Sequence, residues 1–547
     1  MSIFNDVLIK KPGRSLFNLK HEKKFSADFG WLYPILVTEC VPGDTFKVST
    51  EFFVRTAPLV APIMHRVNVK LNYFFVPNRL IWDEWPDFIT GVNQKGSYEA
   101  TSGGAGYFVT KVPPFAHFAS NDAVKSYLSD GKLADFLGFP TCRPNASIDV
   151  ASHPIDVQLL PFRAYQKIYN DWFRNQNVEA EQWTSKVSGN DSTGLSIAST
   201  FSLRRRMWEK DYFTSALPFA QRGDAVNLPI AEVKYKAGSE ASKVYSTAQA
   251  TVPYNANIKT AASGGSSADP KQLVDSVNNN PVRIDNSDSL QVVGGTVNDL
   301  RAATRLQVWL EKNARVGGRY VEQVLGHFGV HSSDARLDRA EYLGGFSCPI
   351  VVSDVEQNSA SASNPTVSGT NTPQGNLAGK GTAYGSSKPI KCFCEEHGFL
   401  FGILSIVPRS NYQDGLPRMF QRNYKEDYYF PEFANLGEQE VNKSELFFDY
   451  TNYANRSKDR FGFQERYCEY KYIPSTVHGE FKNSLQFWHL GRSFTSQPAL
   501  NKSFVEIDPA ALSRVFAVTS NAAHFYIDLV NDVKALRPMP KQAIPSL

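Results

Sequence analysis

The densest group of chemically capable residues in this chain is Arg204-Arg205-Arg206, set beside Met207 and Trp208. Consecutive guanidiniums grip phosphate oxygens bidentately and an aromatic neighbour stacks on an unpaired base, the combination that single-stranded nucleic acid calls for. The same arginines suit salt bridges between subunits, with Glu209 and Asp211 as acidic neighbours in sequence, and the residues alone leave both readings open. A second basic group lies in residues 1 to 24, where Lys10, Lys11, Arg14, Lys20, Lys23 and Lys24 stand against Asp6 and Glu22. The formal net charge is +4, from 58 basic and 54 acidic residues, so this segment holds the whole excess and the rest of the chain is neutral. A basic arm on a neutral body suits a polyanion, because Lys and Arg release counterions condensed on phosphates. The plainer reading is a solvated terminus.

Other spacings that invite chemistry fail on geometry. Gly375 to Thr382 (GNLAGKGT) resembles a phosphate-binding loop, but only three residues separate its first two glycines and Gly381 stands where Ser or Thr must follow Lys380. His327 and His331 are four apart with Gly329 between them and no Glu after His327, and Cys392, Cys394 and His397 have no matching second pair. No nucleophile elbow is present. Catalytic, cofactor and metal sites are therefore not expected. The aromatic run YKEDYYFPEF instead suits a contact between copies of the chain, through Tyr424, Tyr428, Tyr429, Phe430 and Phe433.

The elements that would position these residues read as mainly β with helical insertions. Phe46, Val48, Thr50, Phe52 and Val54 alternate with mostly polar neighbours, and Val67, Val69, Leu71, Tyr73 and Phe75 repeat the pattern. Phe399 to Val407 and Ala523 to Val530 also read as strands, so sheet partners are remote in sequence, as in a jelly roll. Between them, Leu160 to Asn177 carries an Ala164, Ile168, Trp172 stripe, Thr296 and Asp299 form a capping box before Leu300 to Arg315, and Gly329 ends a helix over Tyr320 to Phe328. Residues 257 to 300 and 357 to 390 are Ser-, Asn- and Gly-rich and read as surface loops. Six cysteines in 547 residues are too sparse for a disulfide framework, which suggests a reducing compartment. No apolar run approaches the ~18 residues of a membrane span, and the N-terminus lacks a secretion signal, so synthesis in a cytoplasm without membrane insertion is expected.

Several segments, in order along the chain, are similar to the major capsid proteins of small single-stranded DNA phages, the gokushovirus branch of the microviruses. They include HEKKFSADFG (21 to 30), APIMHRVNVKLNYFFVPNRLIWDEWPDFITG (61 to 91), LPFRAYQKIYNDWFRNQN (160 to 177), RYVEQVLGHFGVHSSDARLDRAEYLGGFSCP (319 to 349) and FGFQERYCEYKYIPS (461 to 475). The resemblance implies an eight-stranded antiparallel jelly roll with long insertions, organised as a basic arm (1 to 24) and a single capsid domain (25 to 547). It implies self-assembly into a T=1 icosahedral shell, in the virion, around a circular single-stranded DNA genome. It also implies a minor pilot protein, a small basic DNA-associated protein and a host surface receptor as partners. The insertion at 224 to 296 sits where such proteins carry an outward projection, a candidate for host recognition. The rival readings are a jelly-roll carbohydrate- or receptor-binding protein that forms no shell, and a non-viral nucleic-acid-binding protein. The neutral body counts against the latter.

Overall fold

The computed structural model describes residues 13–91, 112–141, 150, 153–226, 296–356, 377–450, 459–518 and 523–542, apart from 184, 193, 317–318 and 331–338, together with six short strands within 227–295. The chain divides into two compact units, residues 221–317 and the remainder.

The larger unit is built on eleven antiparallel strands: β1 (Ser15–Asn18), β2 (His21–Ala27), β3 (Tyr33–Cys40), β4 (Thr45–Thr56), β5 (Val67–Pro77), β6 (Glu341–Pro349), β7 (Val351–Glu356), β8 (Leu377–Ser386), β9 (Ile390–Phe393), β10 (Gly398–Pro408) and β11 (Phe525–Arg537). In the larger sheet β11 lies between the edge strands β1 and β2 and the central β4, which pairs on its other side with β8 and β9, and β7 follows β8. The smaller sheet runs β6, β5, β10, β3. The alternation expected over Phe46 to Val54 appears as buried Phe46, Val48, Thr50, Phe52 and Val54 between more exposed neighbours. Phe46, Val48, Phe52 and Val54 join Val69, Leu71, Tyr73, Leu400, Leu404, Ile527 and Leu529 in the main apolar core. Burying each such side chain contributes roughly 1.5–3 kcal/mol.

A buried polar knot ties the two sheets together. The Tyr73 hydroxyl on β5 donates to Thr50 Oγ1 on β4 at 2.7 Å, and that hydroxyl donates to Asn531 Oδ1 on β11 at 2.7 Å. The Asn531 amide donates in turn to the Ile35 carbonyl on β3 at 3.0 Å. Since a buried group without a partner is expensive, the knot disfavours slippage of either sheet.

All of β10 is buried, because the smaller sheet is covered on both faces. Its second face packs Phe74, Val76, Phe399, Phe401 and Ile403 against Trp82, Phe162, Tyr165 and Ile168 from the long insertion between β5 and β6. The helix expected from Leu160 runs as Leu160–Ile168 and continues as a π-helical turn, Tyr169–Phe173. Ala164 and Ile168 are fully buried, whereas Trp172 is half-exposed and donates from its indole to the Ala340 carbonyl at 2.8 Å. A third core, around Tyr212, Phe213, Tyr412, Val441 and Phe504, is contributed largely by the chain between β10 and β11.

The second unit differs from its compositional reading as loop. Glu232–Tyr235 pairs with Leu290–Val293, Lys243–Ser246 with Val282–Asp285, and Ile258–Thr260 with Leu273–Asp275, a nested antiparallel series. Helix Val297–Val316 follows. Its capping box forms as expected, with the Thr296 amide donating to Asp299 and the Asp299 amide donating to Thr296 Oγ1.

The segment expected as a basic arm also differs. Residues 1–12, with Lys10 and Lys11, lie outside the described residues, but Ser15–Asn18 and His21–Ala27 are strands that pair along β11. Backbone hydrogen bonding to a long strand with an open edge has drawn this segment into the sheet. The loop expected over 357 to 390 is described only from Leu377, where β8 begins.

Candidate assembly and nucleic-acid interfaces

The aromatic run holds two short 3-10 turns, Lys425–Asp427 and Pro431–Phe433, and follows a third, Arg418–Phe420, so that Lys425–Asp427 is the middle one. Asp427 closes the middle turn by accepting from the amides of Asn423 and Tyr424 at 2.8 and 3.0 Å. Tyr467, buried and held at φ 60°, donates from its hydroxyl to the carbonyls of Glu426 and Tyr428. Arg422 lies over the rings of Tyr470 and Tyr428, 4.3 and 5.2 Å from their centroids. The backbone is thus fixed from below while the side chains face out. Tyr424, Tyr428, Tyr429 and Phe430 are 68%, 52%, 53% and 45% exposed. Phe433 is half-buried and packs edge-on against Phe430.

Met419, Phe420, Leu436, Tyr470 and Ile473 add further exposed apolar side chains from this region, Ile473 at 89%. The sequence reading missed these five, since they are scattered and follow no period. Their signal was the richness in large apolar residues of an aperiodic stretch that cannot bury them locally. A group of exposed apolar side chains on a fixed backbone makes this region a candidate interaction surface.

The three arginines do not act together. In the extended chain Arg204 and Arg206 turn inward and Arg205 outward. The buried Arg204 donates to Gln166 Oε1 at 2.7 Å, Gln182 Oε1 at 2.9 Å and the Ser199 carbonyl at 2.7 Å. Arg206 donates to Asn72 Oδ1 and Ser405 Oγ, and burial pushes its pKa down to about 10. Arg205 lies 4.8 Å from the Trp31 ring centroid and pairs with Asp508 at 3.4 Å. The expected acidic partners are engaged elsewhere, Glu209 with Lys70 and Asp211 with the hydroxyls of Ser410 and Tyr412.

The N-terminal cations divide similarly. Lys23 points inward, where its ammonium donates to the carbonyls of Pro34 and Phe136. Lys24 pairs with Glu22 and Asp528, both at the surface. Arg14 and Lys20 are exposed along the same sheet edge.

Neither enzyme-like spacing gains support. Residues 377 to 382 of the glycine-rich motif are strand, not a phosphate loop. The Cys392 and Cys394 sulfurs lie 3.9 Å apart in the core, His397 packs on Trp85, and His331 lies outside the described residues. Among the described residues no group of three or more His, Cys, Asp or Glu is arranged to hold a metal, and no helix is long and apolar enough to cross a membrane.

A family model described as capsid protein (F protein) matches residues 7–547. The chain is 33% identical to the capsid protein VP1 of Chlamydia phage 1, over 100% of this chain and 97% of that protein. It is 33% identical to the capsid protein VP1 of Bdellovibrio phage phiMH2K, over 97% and 95% of the two chains. The corresponding protein of Spiroplasma virus 4 is 29% identical, over 98% and 95%. With a family model over nearly the whole chain and relatives at 33% identity over nearly their full length, the chain belongs to the capsid protein (F protein) family, structural proteins of the virion.

Proposed function

We propose that this capsid protein is the major shell subunit of a small phage, closing with identical copies into a T=1 icosahedral particle around a circular single-stranded DNA genome. The observation that carries the reading is the exposed ridge of Tyr424, Tyr428, Tyr429 and Phe430 on a rigid base. Such contacts repeat until the shell closes, so each can be modest while the particle is durable.

Strand order supports an eight-stranded jelly roll as the subunit body. Counting β2, β3, β4, β5, β6, β8, β10 and β11 as the first to eighth strands, the sheets run first-eighth-third-sixth and second-seventh-fourth-fifth. That interleaving is the signature of a jelly roll, in which early and late strands share sheets. The long segment between β5 and β6 is then an insertion, and its part at 224 to 296 is the host-recognition element. By family resemblance, a pilot protein and a small basic DNA-associated protein complete the particle, which assembles in the bacterial cytoplasm.

Replacing Tyr428, Tyr429 and Phe430 together by Ser leaves the three cores intact and is expected to abolish particles while the chain stays folded, read by sedimentation and circular dichroism. Particles forming at the wild-type level would remove the ridge from the account. Deleting 224 to 296 is expected to abolish adsorption to host cells without abolishing assembly; unchanged adsorption would refute the recognition role.

A further inference from the structure

Strands β4, β8, β9 and β11 turn every second residue outward from the larger sheet. Register places Lys47 of β4 opposite Lys534 of β11 on one side and opposite Lys391 of β9 on the other. All three are exposed, so they form a lysine row across three adjacent strands. With neighbouring strands ~4.8 Å apart, three ammonium groups are rooted within about 10 Å, a span close to the ~8 Å screening length at physiological salt. Like charges directly opposite destabilise a sheet. Yet none of the three forms an ion pair or side-chain hydrogen bond among the described residues. The nearest acid along these strands is Asp532, two residues before Lys534. Among the described residues the row is left without an ion-pair partner.

The same face carries aromatic groups. Beyond Lys391, Phe393 points outward with the Arg14 guanidinium 5.9 Å from its ring centroid. Toward the other end, Phe53 stands opposite Tyr384, and Tyr526 stands opposite Arg55, whose guanidinium lies 5.9 Å from the Phe53 centroid. Phe53, Tyr384 and Tyr526 are 41%, 72% and 51% exposed. Glu51 and Asp528 also face outward here, and Lys24 pairs with the latter, so this end offers flat rings and little net charge. Exposed rings on a sheet, interleaved with cations, are the means by which other folds stack unpaired bases.

We propose that the outward face of the larger sheet is where this protein lays single-stranded DNA, with phosphates along Lys391, Lys47 and Lys534 and bases against Phe53, Tyr384 and Tyr526. This rests on the reading of the chain as a shell around single-stranded DNA and names the surface involved. From Lys47 to Phe53 the face extends about 20 Å, room for several nucleotides and comparable with the ~4–16 of a single-strand site on an OB fold. The strands contributed by the basic N-terminal segment form one edge of this same face.

The test uses the full-length chain before assembly and a fluorescent oligo(dT) probe, with affinity measured across a salt series. Replacing Lys47, Lys391 and Lys534 together by Ser is expected to make the slope of log affinity against log salt shallower by about 2, at ~0.7 per phosphate. Replacing Phe53, Tyr384 and Tyr526 by Ser is expected to weaken binding about tenfold or more with the slope unchanged. An unchanged slope in the folded lysine variant overturns the proposal. Should that variant fail to fold, lysine acetylation of the wild type decides: oligo(dT) protecting these three lysines supports the face, and no protection overturns it. Particle formation, scored separately by electron microscopy, tests the underlying shell reading and is independent of the slope.

Discussion

At Lys23 the ammonium donates to the carbonyls of Pro34 and Phe136, and burial pushes its pKa from 10.5 down to about 8. The folded state then binds fewer protons than the unfolded chain between those values, so stability rises with pH across that window. Below pH 8 both states are protonated and the penalty of the buried charge is fully present. Lys23→Met has no such group, and the stability of the wild type relative to it is expected to increase from pH 8 to 10.5, read by denaturant unfolding at each pH. Parallel curves would show that the lysine is not buried. Arg204 and Arg206 obey the same logic: held by Gln166, Gln182, Asn72 and Ser405, they support the packing between the smaller sheet and its covering insertion and are not available at the surface. Runs of cations in sequence therefore overstate what a phosphate can reach. The lysine row makes the converse point, since its members are remote in sequence and only register brings them together.

At the scale of elements, β1 and β2 close the edge of β11 through paired residues from Ser15 to Ala27. Removing residues 1–12 is expected to leave the melting temperature unchanged, whereas removing 1–24 strips most of that edge and lowers it by about 5 °C or more. Equal melting temperatures for the two truncations would mean that the segment is an arm after all. Elements with clean periods were legible beforehand: β4 through its alternation, β10 through its apolar run, and the 297–316 helix through Thr296 and Asp299. Three kinds of element were not. β1 is only four residues long and β2 is rich in charge, because an edge strand over open solvent needs little apolar surface. β8 was read as part of a surface loop because three of its inward positions are Gly379, Gly381 and Gly385, where an added Cβ would meet Pro62, Thr56 and Phe52 within 3 Å. The nested pairs within 232–293 are strands of only three or four residues, too short for alternation such as Val233 and Tyr235 or Val282 and Ile284 to stand out in a Ser-, Asn- and Gly-rich stretch. The interface was half legible. Tyr424 to Phe433 stood out by composition, but Tyr470 joins Tyr429 and Arg422 only once the surrounding turns are folded.

At the scale of the whole molecule, the two sheets, three cores and exposed ridge make a subunit that is well packed inside and incomplete outside. Nine exposed aromatic and apolar side chains come from residues 419–436 and 470–473, and three lysines remote in sequence line up on one sheet face. Under the proposed function the ridge serves contacts with neighbouring subunits and the lysine face serves the genome. The most direct measurement is negative-stain electron microscopy, with size-exclusion chromatography, of the purified full-length chain alongside the Tyr428, Tyr429 and Phe430 variant. Uniform closed particles of a few tens of nanometres (on the order of 30 nm) from the wild type, and dispersed folded subunits from the variant, are the predicted result. A wild-type chain that stays monomeric across salt and pH would contradict the account.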